Sequence, residues 1–397
     1  MFGEEYEALP TSKKSKNHIS GVISQSVLLG YSNADKLSIF SAFRSKINRK
    51  NDRITIILSS YGYLNRRVYC RLFDSEKREI AANPVSVFPE FTVKCPPLSS
   101  TAPAYFAAVT VNKKDVPENL HGIFYEKNER KSGMAEFGVC LAPIFGESPK
   151  VLMLMEFLEY YALQGATTFL IYTYEVSSET EKLLEFYENR LDLRVVSIGN
   201  TTKCLNRHRC RHEMQLQDCI FRMENVAKWV ATVDLDERLM AIGENSKIID
   251  FLRNAAITDD PKIAELRFRC QWTLRYSEIP SGAPKIDNLP MTTWHNTSHV
   301  APRNHTTKSI IRPGFVDSMG VHGVQKFRNS KFSVKLVDDD VAVVRHYRLV
   351  LGWNFFLREA ESFGQFWDFR ISERLRKKIV TRVERVIEDF EMILNKN

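Results

Sequence analysis

The sequence predicts an α/β protein in which a mostly parallel sheet, flanked by helices, follows a smaller β-rich domain. In residues 134–350, short apolar runs alternate with amphipathic ones, as strands and helices do in such a sheet. The run Trp229-Val-Ala-Thr-Val is apolar enough for a central strand that is covered on both faces. Residues 31–100 instead hold short β-branched and aromatic runs without a helical period, which predicts the β-rich domain.

Before the α/β domain, the chain divides into three predicted segments. Residues 1–30 are polar and lack a sustained period, so we expect them to be weakly ordered. Residues 31–100 form the accessory domain, whose predicted strands begin near Arg53, Val68 and Val85. The segment 101–133 follows a Pro- and Ser-rich stretch and is predicted to connect the two domains.

The α/β domain is predicted to alternate strands with helices from its first residues. The pattern gives strands at 137–145, 167–174, 191–198 and 229–233, and helices at 149–164, 178–187 and 211–228. Gly165 suits the C-cap of the first helix. Ser177 and Ser178 are predicted to cap the second, with Glu181 three residues after Ser178 as a capping box. Residues 351–397 carry one apolar stripe, which predicts a helix packed on the core.

Composition narrows the classes of function. The formal net charge is +8, but the basic residues are scattered, so a nucleic-acid-binding protein is a weak rival and an anionic ligand such as a diphosphate fits better. None of the seven cysteines forms a Cys-x-x-Cys pair, which disfavours a zinc ribbon and leaves disulfides or buried thiols. The most apolar stretch, Val151 to Leu163, is shorter than the roughly 20 residues of a membrane span, and no signal peptide is visible.

Asp234 and Asp236 follow the predicted central strand directly. Ligands of open α/β sheets bind beyond the carboxyl ends of strands, and neighbouring carboxylates repel each other unless a cation joins them. The alternative is a capping turn in which either carboxylate accepts backbone N–H bonds, and the two interpretations weigh about equally. Carboxylates suit Mg²⁺ or Mn²⁺, and an imidazole from His322 would favour Mn²⁺, although a lone histidine is more often structural.

At these residues the chain resembles glycosyltransferase family 92, from about Phe40 to Arg348. The similar motifs occur in the same order along the chain: Cys140-Leu-Ala-Pro-Ile-Phe-Gly, Glu156-Phe-Leu-Glu-Tyr-Tyr, Gly165, Asp218-Cys219, Trp229-Val-Ala-Thr-Val-Asp-Leu-Asp-Glu, Lys308-Ser-Ile-Ile-Arg-Pro, Val321-His322 and His346-Tyr347-Arg348.

The resemblance implies a metal-dependent enzyme. It implies a GT-A-type fold, a UDP-sugar donor with galactose as the sugar, and a glycan acceptor, for which a fucosylated N-glycan is one candidate. It also implies Mn²⁺ on Asp234 and Asp236, with His322 as third ligand by analogy with GT-A folds. Members of the family are membrane-anchored in the Golgi or secretory pathway, although this sequence shows no anchor.

Two positions depart from the family pattern. Arg238 stands where an aromatic residue usually follows Asp-x-Asp-Glu, and this puts the local packing in doubt. After His346-Tyr-Arg, Leu349 and Val350 replace the expected Lys-Ser. These departures motivate an alternative, a catalytically inactive relative that binds glycan or nucleotide without transferring sugar.

Lys308 and Arg312 are the candidates for contacts with the donor diphosphate. Phosphate oxygens attract such cations, and a metal beside them would stabilise the leaving UDP as a Lewis acid. The alternative for both residues is that they are solvated charges flanking a strand.

Candidates on the acceptor side come from the loop-rich region after residue 270. An inverting transfer needs a carboxylate that takes the acceptor hydroxyl proton, and Asp317 and Glu278 are the candidates, with an ordinary surface role as the alternative. Trp272 could stack on a sugar ring, yet buried packing is the commoner role of tryptophan. His346, in the family motif, is assigned to substrate binding.

Overall fold

The structure is a computed structural model in which residues 37–46, 52–98, 103–124, 133–199, 208–243, 247–254, 260–280, 284–352 and 354–394 are described. Every structural statement below refers to these residues. The predicted weakly ordered segment 1–30 lies outside them.

Two small antiparallel sheets form the N-terminal part. The first has the order β1-β2-β5, made of Ile39–Lys46, Asp52–Leu58 and Thr92–Lys94. The second has the order β4-β3-β6-β7, made of Glu79–Ser86, Arg67–Phe73, Phe106–Thr110 and His121–Gly122. A disulfide between Cys70 and Cys95 connects β3 to the end of β5. This second sheet therefore includes strands from the segment 101–133 that the sequence predicts as a connection.

A seven-stranded sheet forms the centre of the α/β domain and confirms the predicted class. Its order is β10-β9-β8-β11-β16-β13-β19, made of Asp192–Ser197, Thr168–Val176, Ala135–Gly146, Ala227–Val233, Lys308–Ile311, Ile263–Phe268 and Ser333–Leu336. The first four strands are mutually parallel, whereas β16 runs antiparallel to both of its neighbours. The strand order reverses between β8 and β11, and such switch points open a crevice for ligands at the carboxyl ends of the strands.

Helices cover this sheet. The described ones are Val151–Leu163 (α1), Ser178–Glu188 (α2), His208–Met223 (α3), Ile248–Arg253 (α4), Pro290–Thr293 (α5), Asn354–Glu361 (α6) and Glu373–Leu394 (α7). Gly165 follows α1 with φ +95°, and a Cβ there would lie 2.5 Å from Ile249, so only glycine fits. Helix α3 ends earlier than the predicted residue 228 because Ala227 already pairs with Ala135 in the sheet.

A second sheet lies beside the end of β11. Its order is β12-β20-β14-β15-β21, made of Glu237–Ala241, Ala342–Leu349, Cys270–Arg275, Asn296–Val300 and Trp367–Asp368. Strand β12 begins directly after Asp234-Leu-Asp and runs antiparallel to β20, which sets Glu237 opposite His346. The chain turn between the two sheets therefore carries both aspartates, and a hairpin of β17 (Val316–Gly320) and β18 (Gly323–Phe327) lies near α3.

Helix α3 is fastened to its surroundings through Asp218. The buried carboxylate accepts hydrogen bonds from Ser41 of β1 and Tyr172 of β9 and forms a two-point ion pair with Arg222. The neighbouring Cys219 forms a disulfide with Cys140 of β8. Covalent and polar contacts thus fix α3 between the central sheet and the N-terminal strands.

Candidate active site

The Asp-Leu-Asp-Glu segment is a tight turn that Glu237 closes. The backbone N–H of Asp234 donates to Glu237 Oε2 at 2.9 Å, and the N–H of Glu237 donates to the carbonyl of Asp234 at 3.1 Å. The capping role that the sequence left open for the aspartates thus belongs to Glu237. The carboxylates of Asp234 and Asp236 take other partners.

Asp234 uses one carboxylate oxygen and leaves the other without a hydrogen bond. Its Oδ2 accepts from Lys308 Nζ at 2.9 Å. Its Oδ1 is buried and accepts no hydrogen bond from any described residue, while His212 Nε2 lies 3.7 Å away. A buried carboxylate oxygen without a donor is costly, so this atom is available to a cation or to another ligand.

Lys308 is a buried cation between two carboxylates. Its Nζ also lies 3.1 Å from Glu237 Oε2, and the residue is 2% exposed. Burial lowers the pKa of Lys308, but the charges of Asp234 and Glu237 outweigh that effect and hold the pKa above its usual value. The interpretation of Lys308 as a solvated charge is therefore wrong. Its buried ammonium partly neutralises the carboxylates of Asp234 and Glu237.

Asp236 has a separate partner in His346. The distance from Asp236 Oδ2 to His346 Nε2 is 3.2 Å, and His346 Nδ1 lies 3.6 Å from Glu237. Burial lowers the pKa of His346, yet Asp236 raises it more, to about 10. The imidazole is thus a cation at neutral pH, and Arg275 and Arg348 add positive charge near Asp236.

Two neutral imidazoles lie near Asp234. Burial lowers the pKa of His212, at the start of α3, to about 4. The pKa of His322 is also lowered, first by partial burial and then by Lys308, and its Nδ1 lies 3.2 Å from the carbonyl of Thr307. The sequence-based prediction named only His322 for this site and missed His212, which reaches Asp234 from another element of the fold.

Two predicted residues, Trp272 and Arg312, have other surroundings than expected. Trp272 is 1% exposed and packs against Phe356 and Phe363, so the prediction that it stacks on a sugar is wrong. Arg312 follows the opposite end of β16, four residues or ~13 Å from Lys308. Its guanidinium lies over the ring of Trp229, which contradicts a role on phosphates beside Asp234.

The two base candidates differ in their environment. Asp317 is buried in β17, and its carboxylate lies 2.7 Å from Lys94 and 3.5 Å from Lys326. These two ion pairs make it a poor proton acceptor for a substrate hydroxyl. Glu278 is exposed just after β14. Burial lowers the pKa of Arg275, and the charges of Asp236 and Glu278 oppose that shift. Glu278 thus acts on a guanidinium that also interacts with the aspartate turn.

The donor set fits a hard or borderline divalent cation. An orphaned carboxylate oxygen and nearby neutral imidazole nitrogens are ligands that Mn²⁺ accepts. Within the described ranges, no three His, Cys, Asp or Glu side chains converge into a complete metal site. Nucleotide-dependent sites commonly complete the coordination with substrate phosphates and water, so a partial protein site suffices.

Comparison with known proteins decides the family. Residues 135–381, more than half of the chain, match glycosyltransferase family 92. The chain belongs to glycosyltransferase family 92. This confirms the predicted family and, with the observed sheet, the predicted GT-A-type α/β fold class.

The family 92 chain is also similar to one curated protein, the beta-1,4-galactosyltransferase galt-1 of Caenorhabditis elegans. The two are 22% identical over 218 residues, which cover 54% of this chain and 48% of the relative. The chain thus spans about half the length of that relative.

Two solved structures show a weak overall likeness to the family 92 chain. S. aureus TarS 1-349 in complex with UDP-GlcNAc has a TM-score of 0.30 and 15% identity, covering 54% of this chain and 58% of that one. Glucosyl-3-phosphoglycerate synthase from Mycobacterium tuberculosis with Mg²⁺ and UDP has a TM-score of 0.28 and 12% identity, covering 54% of this chain and 72% of that one.

None of the described helices combines the length and apolarity that crossing a bilayer requires.

Proposed function

We propose that this family 92 protein is a metal-dependent galactosyltransferase that moves galactose from UDP-galactose to a glycan acceptor with inversion. One observation carries the proposal: a buried, unsatisfied carboxylate oxygen of Asp234 at the carboxyl end of β11, beside the switch point of the sheet. Galactose as the sugar is supported by the name of the relative and by the family resemblance.

In this proposal, Asp234 and Asp236 hold the cation and His212 or His322 supplies an imidazole. Bound there, Mn²⁺ would supply Lewis-acid stabilisation of the leaving diphosphate. Lys308 keeps Asp234 ionised and fixes its Oδ2, so that Oδ1 remains free for the cation.

Positive side chains around Asp236 suit the charge that develops on the leaving group. The diphosphate gains a further negative charge when UDP leaves, beyond what one divalent cation neutralises, and His346, Arg275 and Arg348 lie on that side of the turn. One guanidinium nitrogen of Arg275 is buried and donates to no described residue. Glu278 is the base candidate that we retain, since an exposed carboxylate can receive a proton from an acceptor hydroxyl.

The disulfides support a location in the secretory pathway, and we propose the Golgi as the site of action. Cys70–Cys95 and Cys140–Cys219 are the kind of bond that persists in oxidising compartments and is rare in the cytosol. A glycan acceptor, such as a fucosylated N-glycan, is found in the same compartments.

A donor screen tests the proposal. The purified chain is incubated with UDP-galactose, UDP-glucose or UDP-N-acetylglucosamine, with Mn²⁺ or with chelator, and with N-glycans that do or do not carry fucose. We expect transfer of galactose only with the cation, and loss of transfer in Asp234→Asn and Asp236→Asn. Full activity under chelator would refute the metal mechanism. UDP binding without any transfer would favour the inactive relative.

A further inference from the structure

Arg238 follows the aspartate turn and is entirely buried. Its side chain is 0% exposed, although no other residue type is as reluctant to lose its charge. Its Nη1 donates to the carbonyl oxygens of Leu235 at 2.8 Å and Glu237 at 3.0 Å. Since Leu235 separates the two aspartates, the guanidinium holds the backbone of the turn at its midpoint and at its end.

Glu156 of α1 holds Arg238 in turn. Its Oε1 accepts from Arg238 Nη2 at 2.9 Å, and its Oε2 accepts from the backbone N–H of Met291 at 2.9 Å. Phe157 and Tyr160, also on α1, place their rings 5.2 and 5.9 Å from the guanidinium carbon. The turn is thus connected through two side chains to α1 and α5, both of which contribute buried residues to the core.

Stability alone does not explain this arrangement. A buried ion pair is often no more stabilising than an apolar pair of similar volume, because both charges lose their hydration. What an apolar pair cannot do is donate hydrogen bonds to two carbonyls of the turn. The planar fork of the guanidinium does this at fixed angles.

We propose that Arg238, oriented by Glu156, is a positioning residue that sets the angle between the carboxylates of Asp234 and Asp236. This inference rests on the proposed function only in its consequence for ligand binding. The restraint on the turn can be measured without any ligand. Residues that orient ligating carboxylates change metal affinity or activity by ~10–100-fold when they are replaced.

The test uses the double variant Glu156→Leu/Arg238→Met, which removes both charges and leaves neither one buried alone. We expect its melting temperature to stay within a few degrees of wild type. Hydrogen exchange measured by mass spectrometry should become at least ~10-fold faster in peptides covering 234–239, and the Kd for UDP in the presence of Mn²⁺ should rise ~10–100-fold.

A second ion pair on the same helix provides the matched control. Glu159 of α1 lies 2.6 Å from Arg382 of α7 and accepts a hydrogen bond from Tyr187 of α2, so its recorded partners lie on other helices than the turn. Glu159→Leu/Arg382→Met should leave both the exchange of 234–239 and the Kd for UDP unchanged. If this control changed them as strongly as the first variant, a general loosening of α1 would explain the effect, and the proposal would be overturned.

Arg238→Lys keeps the test decisive if the double variant does not fold. Its ammonium retains the charge beside Glu156 but cannot serve Glu156 and both carbonyls in the geometry of the fork. We expect the same faster exchange of 234–239. Wild-type exchange in a folded variant overturns the proposal. Faster exchange in the variant, combined with a wild-type protein that binds no UDP with any cation, would support the restraint and refute the proposed function.

Discussion

Replacing Lys308 by methionine should remove the internal cation of the site at nearly constant side-chain length. The ammonium lies 2.9 Å from Asp234 and 3.1 Å from Glu237. At an effective dielectric constant of ~20, each contact has a gross attraction of about 5 kcal/mol, most of which offsets the cost of burying the charges. Removing one partner of a buried ion pair costs about 3–5 kcal/mol, because the remaining charge is left alone. We expect Lys308→Met to lose that much free energy of unfolding.

The assay is urea unfolding followed by tryptophan fluorescence, in chelator and in Mn²⁺. Lys326→Met is the control, since Lys326 is an exposed lysine at 3.5 Å from a carboxylate and should change stability by less than ~1 kcal/mol. In the Lys308 variant, Mn²⁺ at 100 times its Kd should restore about 2.7 kcal/mol by binding to the freed carboxylates. A loss below ~1 kcal/mol for Lys308→Met, or no gain from Mn²⁺, would refute the view that the buried ammonium compensates these charges.

Three further changes test other parts of the structure. His212→Gln should abolish the imidazole-nitrogen modulation in the electron spin echo of bound Mn²⁺ if His212 is the ligand, whereas the same loss in His322→Gln alone would assign that role to His322. Cys140→Ala/Cys219→Ala should lower the free energy of unfolding by about 4.5 kcal/mol in denaturant titrations, since the bond closes a loop of 79 residues; an unchanged midpoint would contradict this. Trp272→Ala should cost about 3–5 kcal/mol as a core cavity, and Trp272→Phe should leave the KM for the acceptor unchanged; a large rise in that KM would restore the stacking role.

Local patterns predicted what depends on neighbours along the chain. The strand ending at Val233 was readable from its apolar run, and so was the position of both aspartates at its carboxyl end. The capping of the second helix was predicted as well, and of the two serines named for it Ser177 supplies the capping side chain. In each case the deciding contacts are only a few residues apart.

Local sequence patterns could not predict which side chains contact the two aspartates. Lys308 is separated from Asp234 by 74 positions and His346 from Asp236 by 110, and both contacts depend on strand registers that periodicity does not specify. The error at Arg312 has the same origin, because Lys308 begins a four-residue strand and Arg312 follows the opposite end of that strand. For Trp272, the sequence could not show that both faces of its strand are covered.

The contacts that hold α3 in place have a practical consequence for the choice of the first residue in a shortened protein. The family match starts at residue 135, yet α3 has partners that precede it. Asp218 accepts a hydrogen bond from the hydroxyl of Ser41, and the rings of Phe43 and Phe124 flank the guanidinium of Arg222. A shortened protein limited to the matched residues would expose that guanidinium to solvent and remove one of the packing surfaces of the helix that carries His212, which its disulfide to Cys140 would still hold to the sheet. Expression trials should therefore retain the N-terminal strands, because these strands pack against α3 and so belong to the same folding unit as the site.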